Sequence, residues 1–160
     1  MSEYSASVRW VRGEGEAFVD DQYSRGHAWH FDGGACVAAS ASSHVVPLPY
    51  CVEANVDPEE AFVASLSSCH MLFFLSIAAQ EGFVVDEYVD DAVGVLESDR
   101  EDKISMTRVA LRPAVTFSGA KRPTLAQLEA MHHQSHEQCF IANSVKTHVF
   151  TEIVVPPGNG

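Results

Sequence analysis

A chain of 160 residues, 46% hydrophobic and 20% charged, can bury a real core and is expected to form one globular domain over residues 1–160. Its net charge of −12, from ten Lys and Arg against twenty-two Asp and Glu, argues against nucleic acid or an anionic membrane as a partner. The stretch from Met1 to Val19 is polar and charged rather than signal-like, so a cytoplasmic protein is expected.

In chain order, Val8, Trp10 and Val11 among polar neighbours read as the start of a strand that ends in a turn at Gly13 and Gly15. Tyr23 to Phe31 alternate loosely, Asp32-Gly33-Gly34 signals a hairpin, and Ala35 to Ser43 form a short strand of small residues. The N-terminal part is therefore an antiparallel meander. His44 to Val56, with Pro47 and Pro49, is a loop long enough to suggest function rather than mere connection.

The loop feeds a long apolar helix. Asp57 caps it, Pro58 suits its first position, and Glu60 stands where a capping box needs it. Gly82 is a natural stop. From Ala61 to Ala79 there is no charged residue, which approaches a membrane span. Four Ser, a Cys and a His inside it, two Glu at its start and no basic flank argue against that reading.

Phe83 to Leu96 reads as a strand, Ser98 to Lys103 as a charged turn, and Ile104 to Phe117 as another strand. A shift in its apolar set suggests a bulge or bend near Arg108, and Pro113 an edge or irregularity. Thr124 caps a second helix, with Gln127 at the capping-box position. Leu125, Leu128, His132, Ser135 and Cys139 share its inward stripe. Val145 to Val155 is a last strand, and Pro156 onward a tail. The order of strands, helix, strands, helix, strand predicts an α+β fold with a largely antiparallel sheet and two main helices.

Four cysteines occur: Cys36, Cys51, Cys69 and Cys139. Without a secretion signal they make no disulfide framework, there is no C-x-x-C, and their spacing fits no zinc ribbon. Cys69, in mid-helix, is either inert packing or a reactive thiol. Reactivity needs a thiolate and hence a nearby cation or donors. The helix dipole acts only in the first turn, so a cation from elsewhere is required, and Arg25 is one candidate. Cys139, on an inward stripe, makes a redox pair with Cys69 conceivable. His132 and His136 stand four apart, and with Cys139 and His70 offer a weak metal-ligand pattern. A hydrolase triad on Cys69 is disfavoured, because a mid-helix thiol has no free backbone N–H groups to form an oxyanion hole.

Asp57-Pro58-Glu59-Glu60-Ala61-Phe62 followed by Ser67-Ser68-Cys69-His70 resembles the cysteine helix of the OsmC/Ohr family, the osmotically inducible and organic hydroperoxide resistance proteins. Arg25-Gly26 ahead of a hairpin matches the family's N-terminal arginine, and Glu137 to Ser144 resembles its second-cysteine segment. The resemblance implies an OsmC-like α+β fold with a buried central helix, in an intertwined homodimer without metal or cofactor. It also implies a thiol peroxidase for organic hydroperoxides, reset by a dithiol reductant of the lipoyl kind. Carried over, Cys69 is the peroxidatic and Cys139 the resolving cysteine, which pair as a disulfide, while Arg25 and Glu59 hold and activate the thiolate. Many members have Pro after the second Cys; here it is Phe140. A non-catalytic redox-sensing or stress protein with the same cysteine pair is the alternative.

Spacing adds one inference. Ten residues separate Glu59 from Cys69, about 15 Å along a helix. If both serve one site, Glu59 and the Arg25 it pairs with are expected from the partner subunit. The apolar residues on every face of the helix likewise call for a dimer that encloses it.

Overall fold

The computed structural model describes residues 1–155; the expected tail from Pro156 lies outside the described residues. The chain forms two compact units, Met1–Ala61 and Phe62–Gly160.

In the first unit, β1 (Ala6–Arg9), β2 (His27–Phe31) and β3 (Cys36–Ala39) make an antiparallel sheet in that order. Gly34 takes a φ of +86° in the β2–β3 turn, where a side chain would be strained, and its N–H bonds Phe31 O at 3.0 Å. The strand expected through Val11 stops at Arg9. Trp10 turns aside, donates Nε1–H to Ser24 O at 2.8 Å, and packs its ring against Phe18 and Tyr23. The expected loop from His44 to Val56 returns to the sheet: Val56 bridges Ala39, and Val52 N–H donates to Ser40 Oγ at 2.9 Å.

Helix α1 spans Pro58–Gln80. Its start is the expected capping box: Glu60 N–H donates to Asp57 Oδ1 at 2.7 Å and Asp57 N–H to Glu60 Oε2 at 3.3 Å. Its end is a Schellman turn on Gly82 at φ +78°, with Phe83 N–H to Ala78 O at 2.9 Å and Gly82 N–H to Ala79 O at 3.1 Å. The Lys121 ammonium caps Glu81 O, which also places a cation at the negative end of the helix dipole. The helix is long and apolar enough to cross a membrane by length and composition, a test that core helices also pass.

In the second unit, each strand expected between Phe83 and Phe117 is in fact two. The chain gives β4 (Val84–Asp90), β5 (Val93–Ser98), β6 (Ile104–Leu111) and β7 (Pro113–Ser118). β4 pairs with β7 and β5 with β6, both antiparallel, but in separate sheets. A long hairpin is therefore broken at Asp91-Ala92 on one side and Arg112 on the other. Asp90 fixes the break: its carboxylate accepts Arg112 N–H and the Ser67 hydroxyl, which ties the strand ends to α1. The register slips between Val95 and Leu96, opposite Arg108 and Met106, so Thr107 is the bulged residue beside the expected site.

Helix α2 (Leu125–Gln138) has the expected Thr124–Gln127 capping box. His132, Ser135 and Cys139 face inward as expected and Leu128 is partly buried; Met131 joins them inside, but Leu125, in the first turn, is exposed. The last strand is shorter than expected. β8 (His148–Thr151) lies parallel to β6, and Val154 continues only as a bridge to Ala114. The fold is α+β, with antiparallel pairs and this one parallel strand.

Two apolar clusters result. One holds Phe74, Ile77, Phe83, Val115, Phe117 and Met131. The other holds Leu66, Val109, Leu111 and Val149. α1 contributes to both through an inward stripe of Leu66, His70, Phe74 and Ile77. Cys69 and His70 fall between the two. One chain does not enclose α1 on all sides: Ala64, Ser65, Ser68, Leu72 and Ser76 remain exposed.

Candidate redox site

Cys69 stands in the fourth turn of α1 and is half-buried; Cys139 closes the C-terminus of α2 and is 1% exposed. All four cysteines are free thiols. The fold brings Cys69 and Cys139 near enough for the Cys69 thiol to act electrostatically on that of Cys139. Sequence spacing alone left that approach open.

The local chain builds a fixed seat for Cys139. Its N–H bonds His136 O at 3.2 Å, and its carbonyl accepts Asn143 N–H at 3.0 Å as the backbone enters a 3-10 turn at Ala142–Ser144. Ala142 N–H donates to Cys139 Sγ at 3.4 Å. Burial pushes the Cys139 thiol up to about 11, and the neighbouring Cys69 adds to the rise against the opposing pull of the Ala142 and Ile141 amides. The two sulfurs are thus unlike: one reachable, the other enclosed and held as a thiol at neutral pH. Phe140, which follows the second cysteine, is 69% exposed and meets Phe73 of α1 edge-on at 5.0 Å.

Beside the thiols lies a contact with no sequence signal. His70 Nε2 and His132 Nδ1 stand 3.0 Å apart in a buried hydrogen bond, with the rings stacked. The pair is packed against Phe74, whose ring lies 4.3 Å from that of His132. Burial pushes His70 down to about 4, helped by His136, and His132 down to about 3, helped by His70. Both are neutral at pH 7. Among the described residues, His70 Nδ1, His132 Nε2 and Tyr88 Oη are buried without a hydrogen-bond partner. The stripe on α2 placed His132 inward, but a single sequence does not reveal which residue of α1 it meets.

The metal-ligand reading of His132, His136, Cys139 and His70 is not supported. Among the described residues no three His, Cys, Asp or Glu side chains group around one point. Cys139 turns to Cys69 and His132 to His70. A cavity of about 300 Å³ opens between α2 and β8, lined by Glu129, His133, His136, Phe150 and others; neither cysteine borders it.

Arg25 lies in the first unit, where its side chain is 15% exposed. Its guanidinium donates from Nη2 to Asp21 Oδ1 at 2.7 Å and from Nη1 to Asp21 O and Tyr23 O, and it lies over the Tyr23 ring at 3.8 Å. The expected carboxylate partner was Glu59. Asp21 takes that place, because the turn from Asp20 to Ser24 folds back onto the arginine. Glu59, in the first turn of α1, makes no ion pair among the described residues. Of the two further thiols, Cys36 is exposed on β3 and Cys51 buried in the loop that follows.

A family model described as OsmC-like protein matches residues 53–154. The chain is similar to an OsmC-like protein of unknown function from Vibrio cholerae, with 64% identity, coverage of 96% of this chain and 100% of that one, and a TM-score of 0.95. It is also similar to an organic hydroperoxide resistance protein from Legionella pneumophila, described too as a predicted redox protein. That pair shows 15% identity, coverage of 97% and 98%, and a TM-score of 0.66. An organic hydroperoxide resistance protein from Bacillus subtilis gives 15% identity, the same coverage and a TM-score of 0.60. At those identities the last two speak for the fold alone. No curated protein matches the chain.

Proposed function

The chain belongs to the OsmC-like family, and on that premise we propose that it is a thiol-dependent peroxidase acting on organic hydroperoxides. The observation that carries the reading is the approach of half-buried Cys69 to enclosed Cys139. Such a pair divides the chemistry. The Cys69 thiolate attacks a peroxide oxygen, the O–O bond breaks, and a proton completes the alcohol while the sulfur becomes a sulfenic acid. Cys139–SH then displaces the hydroxyl as water and a Cys69–Cys139 disulfide forms. An external dithiol returns both thiols by exchange and leaves as its own disulfide.

The raised pKa of Cys139 suits this order. It keeps the second sulfur from competing for peroxide and reserves it for the sulfenic acid beside it. Leu66 and Phe74 on the same helix and the Phe73–Phe140 ring pair make the surroundings apolar, which favours an alkyl or aryl hydroperoxide over hydrogen peroxide.

Arg25 is the proposed cation for the Cys69 thiolate, supplied by the partner subunit of a homodimer. Its bonds to Asp21 and Tyr23 fix the guanidinium without using Nε–H, which leaves donors for a thiolate or a peroxide. Glu59 sits in the same unit and adds a carboxylate whose target is the partner's site. The dimer is supported by α1 itself: only 28% of its most apolar eighteen-residue window is buried in one chain.

The test is steady-state reduction of cumene hydroperoxide with dihydrolipoamide as reductant. Cys69→Ser abolishes turnover. Cys139→Ser allows one oxidation per subunit, seen as a single added oxygen by intact mass, but no efficient cycling. Full activity in Cys69→Ser overturns the reading. A protein that forms the disulfide but is never turned over by any dithiol is a redox sensor instead.

A further inference from the structure

We infer that His70 and His132 are positioning residues that set the approach of Cys69 to Cys139. The inference rests on the redox pair described above, and its test does not depend on peroxidase turnover. Four residues form two contacts between two helices. Cys69 and His70 are neighbours on α1. His132 lies on α2 and Cys139 just past its last residue, seven positions on, about two turns or 10 Å away. One is the approach of the two thiols, near enough to act on each other; the other is the imidazole hydrogen bond at 3.0 Å. Two contacts separated along one helix fix its slide and its rotation against the other, which a single contact cannot do.

The rest of the packing does less to fix that register. Around the pair the contacts are ring faces and aliphatic side chains, such as Phe74 on His132 and Met131 in the same cluster. Such contacts are non-directional and tolerate small shifts. The hydrogen bond is directional and weakens steeply as it misaligns. It is also buried, with His70 1% and His132 2% exposed, so a partner left without its mate costs more than one at the surface. A disulfide needs its α-carbons within a narrow range, so a small slide of α2 is felt at the sulfurs. The imidazole pair therefore acts through Cys139: it holds the resolving thiol where the sulfenic acid will form.

The test measures the Cys69–Cys139 couple directly in a Cys36→Ser/Cys51→Ser background. Disulfide formation by diamide gives the rate, and equilibration with glutathione gives the potential. His70→Leu/His132→Leu removes the hydrogen bond without leaving a buried partner orphaned. It is expected to lower the equilibrium constant for the disulfide about tenfold, a potential about 30 mV less reducing, and to slow closure by a similar factor. His70→Gln/His132→Asn places amide groups where Nε2 and Nδ1 stood and is expected to return both values to within about threefold of wild type. Wild-type rate and potential in the folded leucine pair overturn the inference. So does a folded amide pair that behaves like the leucine pair. If the leucine pair does not fold, His132→Asn alone decides: it retains a partner for His70 Nε2, and a tenfold loss in that variant overturns the inference. A redox couple that responds as expected in a protein without peroxidase activity supports the positioning role while refuting the proposed function.

Discussion

At the scale of single residues, the buried histidines make stability depend on pH. His70 titrates near 4 and His132 near 3, against about 6.5 in an unfolded chain, because burial disfavours their charged forms. Above pH 6.5 both states hold them neutral and the pair costs nothing. Below it the unfolded chain takes up protons that the folded one refuses. Stability therefore falls as pH drops, by about 1.4 kcal/mol per unit for each histidine, until the folded pKa is reached. Urea midpoints measured from pH 7 to pH 4 should show this slope, and the leucine pair at positions 70 and 132 should flatten it. Cys69 was legible as a residue of interest from its place in an uncharged helix, and Cys139 from its stripe. Their contact was not, because side chains on different helices meet through tertiary packing that no local pattern encodes.

At the scale of elements, the helix ends are the most predictable features because their causes are local. The capping boxes at Asp57 and Thr124 and the stop at Gly82 each depend on residues within one turn. Thr124→Ala is expected to cost about 1 kcal/mol in a urea titration. Gly82→Ala is expected to cost about as much, since a φ of +78° strains any side chain. The strands were less legible. Val recurs on both sides of Asp90-Asp91 with no Gly or Pro between to mark a turn, so the sequence reads as one strand where the chain has two. The division comes from Asp90, which accepts hydrogen bonds from residues distant in sequence. The bulge beside Arg108 was visible because a bulge shifts the two-residue period itself.

At the scale of the whole molecule, the proposed function asks for two chains. α1 exposes Ser65, Ser68, Leu72 and Ser76 along one side, with Leu72 62% exposed and Phe140 nearby in sequence to the second cysteine at 69%. If Arg25 and Cys69 of one site come from different subunits, two inactive variants can complement each other. Cys69→Ser and Arg25→Ala proteins, each inactive alone, are mixed after dissociation and allowed to reassociate. Mixed dimers then hold one intact site, and the mixture should recover about a quarter of wild-type activity. No recovery, in a mixture shown by mass spectrometry to contain mixed dimers, places Arg25 and Cys69 of a site on the same chain. The expectation of a dimer came from the apolar residues on all faces of α1, and the complementation experiment decides it. The carboxylate beside Arg25 was not legible: Glu59 matched the family pattern, whereas Asp21 is brought in by a turn.

The imidazole pair has one more consequence, in its protons. Each neutral ring carries a single N–H, and only one of the two facing nitrogens can hold one. If His70 is protonated at Nε2, His132 must carry its own at Nε2; if His132 is protonated at Nδ1, His70 must carry its own at Nδ1. The tautomers are thus locked to each other, and a change in one ring compels the same change in the other. The shared proton is hidden from solvent, so it should exchange slowly and resonate apart from the backbone amides. That signal would report the closeness of α1 and α2 in solution without touching either cysteine.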